Sequence, residues 1–136
     1  MREFRTAVEA GDFAALGDLL ADDVVFRSPV AFKPYDGKPI VAAILRGVGR
    51  VFEDFRYVRE LADEDGHGSA LVFETSVDGV SLNGIDLIRT DADGKITELT
   101  VMVRPLSASN ALAAAMAAQF PQIQAEALAE LTGETP

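Results

Sequence analysis

Asp86 is the residue most suited to chemistry, because it is an acid set inside an apolar run, Gly84-Ile85-Asp86-Leu87-Ile88. A carboxyl placed there is turned into an interior, paired with a base such as Arg104 or Arg27, or left facing solvent. Turned inward without a partner, it loses hydration. Its pKa then rises above the ordinary value of about 3.9, and it can be held neutral. A neutral acid donates a hydrogen bond to a carbonyl or alkoxide, and an acid that titrates near neutrality moves protons. Asp86 is therefore the candidate catalytic residue.

The other polar candidates each have a plain alternative. Ser28 precedes Pro29 and shares a strand face with Phe26, so its hydroxyl meets a ligand or bonds the loop backbone. Tyr35-Asp36 is a ligand-facing pair or ordinary turn chemistry before Gly37. Arg104, at a strand end before Pro105, binds a ligand carboxylate, pairs with Asp86 or stays exposed. His67 stands between Gly66 and Gly68 with no second metal ligand nearby, and reads as an exposed turn residue. The chain has no cysteine, which removes thiolate metal sites and cysteine nucleophiles. It contains no Ser-His-Asp arrangement, phosphate-cradling glycine loop or dinucleotide fingerprint. The expectation is no metal and no cofactor.

These residues must be positioned by a chain that begins helical and ends as a sheet closed by a helix. Phe4, Ala7 and Val8 form one helical stripe. Gly11 breaks it, and Asp12 caps a second helix carrying Phe13, Leu16, Leu19 and Leu20. Val24 to Phe26 reads as a short strand, stopped at Ser28-Pro29. Ile40, Val41, Ile44, Leu45, Val48 and Phe52 give a strong helical stripe after Pro39, weakened towards its end by Gly47 and Gly49. Near residue 53 the period changes to two. Strands then alternate with turns at residues 63–66, 78–79 and 91–94, which predicts an antiparallel meander. Pro105 opens an alanine-rich helix that Pro121 is expected to break; residues 122–131 could add one more short helix, and residues 132–136 should fray. The order is α+β. A four-stranded meander with helices on one face should curl and leave a cavity. Its expected apolar lining is Phe26, Ile44, Leu45, Leu71, Phe73, Ile88, Leu99, Val101 and Val103.

The chain has 136 residues, enough for one domain spanning residues 1–136, with a core at about residues 2–120 and a tail from 121 to 136. Its formal net charge of −10 is spread along the sequence. That field repels phosphate backbones, so no nucleic-acid partner is expected; no apolar run approaches a membrane span, so no membrane partner is expected either. A cysteine-free chain without an apolar leader is most simply cytoplasmic.

Several stretches resemble the ketosteroid isomerase group of the nuclear-transport-factor-2-like superfamily, which also holds SnoaL-like polyketide cyclases. They are Glu9-Ala10-Gly11-Asp12, Leu20-Ala21-Asp22-Asp23, Ser28-Pro29-Val30 and Gly37, then Ile85-Asp86-Leu87 with Arg89 and the turn Asp93-Gly94-Lys95. The resemblance covers most of residues 4 to 105. It implies a cone-shaped, curved antiparallel sheet with helices in its concavity, the cystatin-like α+β roll. In the isomerase a carboxylate base moves a proton, while a tyrosine and a protonated aspartic acid stabilise the enolate oxygen. The resemblance puts the tyrosine at Phe4 and the base at Ser28, both in the pocket wall, and keeps only the aspartic acid, as Asp86. Limonene epoxide hydrolase and scytalone dehydratase fit less well: the second aspartate of the former falls near Arg104, its bridging arginine near Gly84, and the only histidine is His67.

The function expected is that of a SnoaL-like protein with an apolar pocket for a small hydrophobic ligand. Asp86 would supply isomerase-, cyclase- or hydratase-type acid–base chemistry without a cofactor. The alternative is a non-catalytic ligand-binding or dimeric assembly module that has lost the isomerase residues. A homodimer is expected, because Val72, Thr100 and Met102 alternate onto the outer face of the sheet.

Overall fold

Helical and alternating periods divide the chain where the sequence changes character. The computed structural model describes residues 1–133. Helix α1 (Arg2–Glu9) buries Phe4 and Ala7, and α2 (Phe13–Leu19) buries Leu16. Between them Gly11 takes φ 71°, and the Asp12 carboxylate accepts a hydrogen bond from the Ala15 amide at 3.2 Å, capping α2. Strand β1 (Leu20–Arg27) starts earlier than its apolar run suggested and takes Leu20 away from the preceding helix. A two-residue strand, β2 (Tyr35–Asp36), pairs with it antiparallel, where a turn was expected.

Helix α3 (Lys38–Val51) buries Val41 to Leu45. Its glycines allow close packing. A Cβ on Gly47 would come 2.6 Å from Ile123, and one on Gly49 2.6 Å from Phe13.

The meander follows as expected: β3 (Glu53–Ala62), β4 (Gly68–Val77), β5 (Val80–Thr90) and β6 (Ile96–Arg104), each pair antiparallel. Asp78 and Gly79 close the β4–β5 hairpin with φ 48° and 78°, the positive angles that a two-residue turn needs to match strand twist. The six-stranded sheet has the order β2-β1-β6-β5-β4-β3. It is not wholly antiparallel, because β1 runs parallel to β6. α3 and the whole meander together form the long crossover that a parallel pair requires.

The last helix corrects the sequence reading. α4 runs unbroken from Leu106 to Thr132 with Pro121 inside it. An interior proline costs a helix about 3 kcal/mol. Here the far segment is held by burial of Ile123 and Ala127 and by two arginines of α3: Arg46 reaches Glu126 at 2.7 Å, and Arg50 reaches Gln119 at 2.6 Å and Glu126 at 3.0 Å. Ile123 and Ala127 therefore belong to the core, so the described residues beyond 120 are not a mere tail. The fraying expected at residues 134–136 lies outside the described residues. Among the described residues no helix is long and apolar enough to cross a membrane.

Candidate functional site

The curved inner face of the sheet and helices α1 to α4 enclose a cavity of about 390 Å³, within the range of small-molecule sites. Asp86 lies in its wall at only 7% exposure. Register explains its surroundings: Leu71 on β4 and Val101 on β6 stand directly opposite, and both are apolar. Among the described residues the one hydrogen bond to the Asp86 side chain comes from the Tyr57 hydroxyl on β3, at 2.8 Å to Oδ2. Irregular pairing with β4 flanks Tyr57 on both sides, between Glu53 and Arg56 and between Tyr57 and Arg59. Such bulges twist a strand and re-aim its side chains.

Desolvation raises the Asp86 pKa to about 7, while the bond from Tyr57 pulls against it by favouring the charged form. The Tyr57 hydroxyl is raised above its ordinary value, by burial and then by the charge of Asp86. The dyad is thus a proton donor that stays protonated beside an acid that titrates near neutrality. Behind it, the Arg5 guanidinium lies 5.7 Å from the Tyr57 ring centre and is held by Glu9 at 3.1 Å and Glu60 at 3.2 Å.

Of the sequence-expected pocket residues, Phe4, Phe26, Ser28, Ile44, Leu45 and Val101 line the cavity. Leu71, Phe73, Ile88, Leu99 and Val103 do not. The first four are buried core and Val103 is half-buried. An aromatic layer screens Phe73: Phe55 stacks on it at 4.9 Å between ring centres, and Phe52 packs at 5.8 Å. Ile88 and Leu99 pair with each other in the next inward-facing row beyond Asp86 and Val101.

Ser28 keeps its plain role, its hydroxyl accepting a bond from the Val30 amide at 3.1 Å. Tyr35 enters the wall between Phe26 and Phe120, with ring centres 6.3 and 5.9 Å away, whereas Asp36 is exposed. Arg104 bonds Asn83 at 3.0 Å and Arg27 bonds Glu98 at 3.1 Å, so neither pairs with Asp86. His67 sits in the β3–β4 turn, its amide bonded to Asp65. The residue that sequence reasoning missed is Tyr57. The sequence carried only half of its signal: a tyrosine on the same strand face as Phe55 needs a hydroxyl partner once buried, but nothing local names Asp86 as that partner.

A family model for a SnoaL-like domain matches residues 1–99. No curated protein matches the chain by sequence. Among solved structures, the chain is similar to a steroid delta-isomerase from Pseudomonas aeruginosa at 44% identity and TM-score 0.86, covering 91% of this chain and 90% of that one. It is also similar to an uncharacterised bacterial protein with a cystatin-like fold from Silicibacter pomeroyi, at 34% identity and TM-score 0.82, covering 92% of each chain. An NTF2-like protein of unknown function from Mesorhizobium loti shares the fold at 22% identity and TM-score 0.67, covering 77% of this chain and 88% of that one.

Proposed function

The chain belongs to the SnoaL-like domain family, and on that premise we propose that its cavity binds a small apolar molecule and that Asp86 exchanges a proton with it, without a cofactor. The observation that carries this reading is a nearly buried carboxyl in an apolar wall, hydrogen-bonded among the described residues by Tyr57 alone, with desolvation raising its pKa towards neutrality. A carboxyl poised in that way can serve as base or as acid, the condition under which general acid–base catalysis is efficient. In the isomerase form of the reaction Asp86 takes a proton from a carbon beside the substrate's polar group. The C–H bond breaks, an O–H bond forms, and the electron pair stays in the substrate's π system. The proton then returns two atoms further along, so nothing else is consumed. A cyclase or hydratase would draw on the same acid–base group.

The relative from Pseudomonas aeruginosa is a steroid delta-isomerase. This chain has phenylalanine and serine at positions 4 and 28, where the resemblance calls for a hydroxyl donor and a carboxylate base. Steroid isomerisation is therefore expected to be nearly absent, and Phe4→Tyr with Ser28→Asp is expected to raise it. Substantial turnover by the natural protein would contradict that assignment of roles.

The direct test of the acid–base reading is solvent-deuterium incorporation into a panel of small cyclic ketones, followed by mass spectrometry. Asp86→Asn should lower incorporation by about a hundredfold or more. Equal incorporation by the variant would leave a binding module. The observation favouring that second reading is that the Ser28 hydroxyl is already engaged by the Val30 amide.

We also propose that the outer sheet face pairs two copies of the chain. Met102 there is 54% exposed, and Val58, Leu61 and Leu87 are exposed with it. Light scattering that gives one chain mass at micromolar concentration would count against this.

A further inference from the structure

The cavity wall is acidic and aromatic at once. Its ionisable side chains are Asp86, the phenols of Tyr35 and Tyr57 and, at one edge, Glu9; no lysine, arginine or histidine lines it. Six of the nine arginines are paired with acids: Arg5 with Glu9 and Glu60, Arg27 with Glu98, Arg46 and Arg50 with Glu126, Arg56 with Glu74, and Arg89 with Asp63 and Asp65. Asp86 is the buried charged-type residue of the described chain, and its partner is a phenol rather than a cation. A buried carboxylate normally has a cation or a set of donors beside it. Tyr57 supplies one donor to Oδ2, which favours the ionised form, and leaves Oδ1 without a partner.

The rings reinforce this bias. Eight of the chain's ten aromatic residues line the cavity. Phe55 meets Tyr57 edge to face at 4.9 Å, beside the carboxyl. The faces of aromatic rings carry partial negative charge and attract cations, most strongly where water is excluded. A carboxylate or phosphate ligand finds no cationic side chain in the wall and is repelled by the ionised Asp86. A neutral carbonyl gains one hydrogen bond and nothing from the ring quadrupoles. A cation gains both the carboxylate and the rings.

We propose that the preferred ligand of this cavity is an apolar molecule carrying one basic nitrogen, held as an ammonium between the Asp86 carboxylate and the surrounding aromatic rings. The proposal rests on the reading that the cavity binds a small apolar molecule, and it names the polar group that such a molecule carries. It also fixes the sign of proton exchange on binding. Besides Asp86, the titratable groups that face the cavity are Tyr57 from β3, Tyr35 from β2 and Glu9 from α1; β4 and β6 present Leu71 and Val101 to Asp86. An ammonium selects ionised Asp86 and so expels protons at neutral pH, whereas a carbonyl selects the neutral acid and takes protons up.

Isothermal titration calorimetry at pH 7 with aminotetralin, tetralone and tetralin carboxylate, three probes on one skeleton, tests this. The amine should bind at least about tenfold tighter than the ketone, and the carboxylate should not bind measurably. Titrations in two buffers of different ionisation enthalpy should show proton release with the amine. Asp86→Asn should abolish the preference. The same variant should still bind the ketone, which excludes a folding defect, and Tyr57→Phe, which keeps the carboxylate, should retain the preference. Ketone binding as tight as amine binding, or an amine preference that survives Asp86→Asn, overturns the proposal and leaves the apolar-ligand reading standing. Failure of all three probes to bind overturns both.

Discussion

Two partly or wholly hidden carboxyl groups in this chain behave in opposite ways. Asp86 on β5 is buried, and Glu126 on α4 is half-buried. Burial pulls both pKa values up. At Glu126 that pull is outweighed by the bond from Arg46, the charges of Arg50 and Arg46, and the bond from Gln122, so its pKa falls below the usual carboxylate value. At Asp86 only a phenol answers, and the pKa climbs to about 7. Depth and partner together decide what a hidden acid does: Asp86 is deeper and faces only a phenol, whereas Glu126 is shallower and meets two arginines. The α3–α4 seam uses its acid to hold a helix through an interior proline. The cavity keeps its acid without a counter-charge.

pH-dependent unfolding separates the two acids most strongly. The folded pKa of Asp86, about 7, lies above the unfolded value of about 3.9. Its stabilising contribution is therefore full below pH ~4 and is lost as pH rises to about 7, levelling off above that. The loss is on the order of a few kcal/mol. Urea denaturation of Asp86→Asn between pH 4 and 8 should show that decline flattened, and identical slopes in the two proteins would remove the desolvated-acid account. Glu126→Gln is the mirror case. Its folded pKa is depressed, so its contribution is present above the unfolded pKa and vanishes as pH falls through the folded one. The variant should lose about 1–2 kcal/mol at pH 7 and nothing measurable in strong acid.

A smaller effect isolates the phenol. Tyr57→Phe removes the bond that opposes desolvation, so the Asp86 midpoint, followed by carboxyl carbon NMR, should move up by about one unit or less. A downward movement would contradict the direction assigned to that bond. The smallest effect is a control: Arg27→Ala breaks an exposed pair with Glu98 and should change stability by less than about 0.5 kcal/mol.

Periodicity and turn chemistry made the frame of the molecule legible. The switch near residue 53, the Asp78-Gly79 turn and the inward acid Asp86 are local signals, and the structure follows them. What could not be read depends on contacts between distant segments. The partner of Asp86 lies 29 residues away and is aimed by bulges that leave no mark in the alternation of β3. Pro121 is a helix breaker by local rules, yet Ile123 and Glu126 find partners on α3 and the helix continues. Leu71, Phe73, Ile88 and Leu99 point inward as the alternation says, but alternation cannot tell a cavity wall from the core behind it. Aromatic residues supplied from outside the meander and from β3, among them Phe13, Phe52, Phe55 and Phe120, decide which surface a ligand meets.

The strand order carries a consequence in time. β1 leaves the ribosome long before β6, its parallel neighbour, and until then only the two-residue β2 is available to it. The meander can assemble from neighbouring strands, whereas the β1–β6 seam must close a loop of nearly the whole domain, the slow kind of contact. α1 is the first and α4 the last of the described elements, and both contribute wall. The cavity of this domain is therefore incomplete until α4 has been synthesised, and the aromatic residues that line it stay open to water on that side until then.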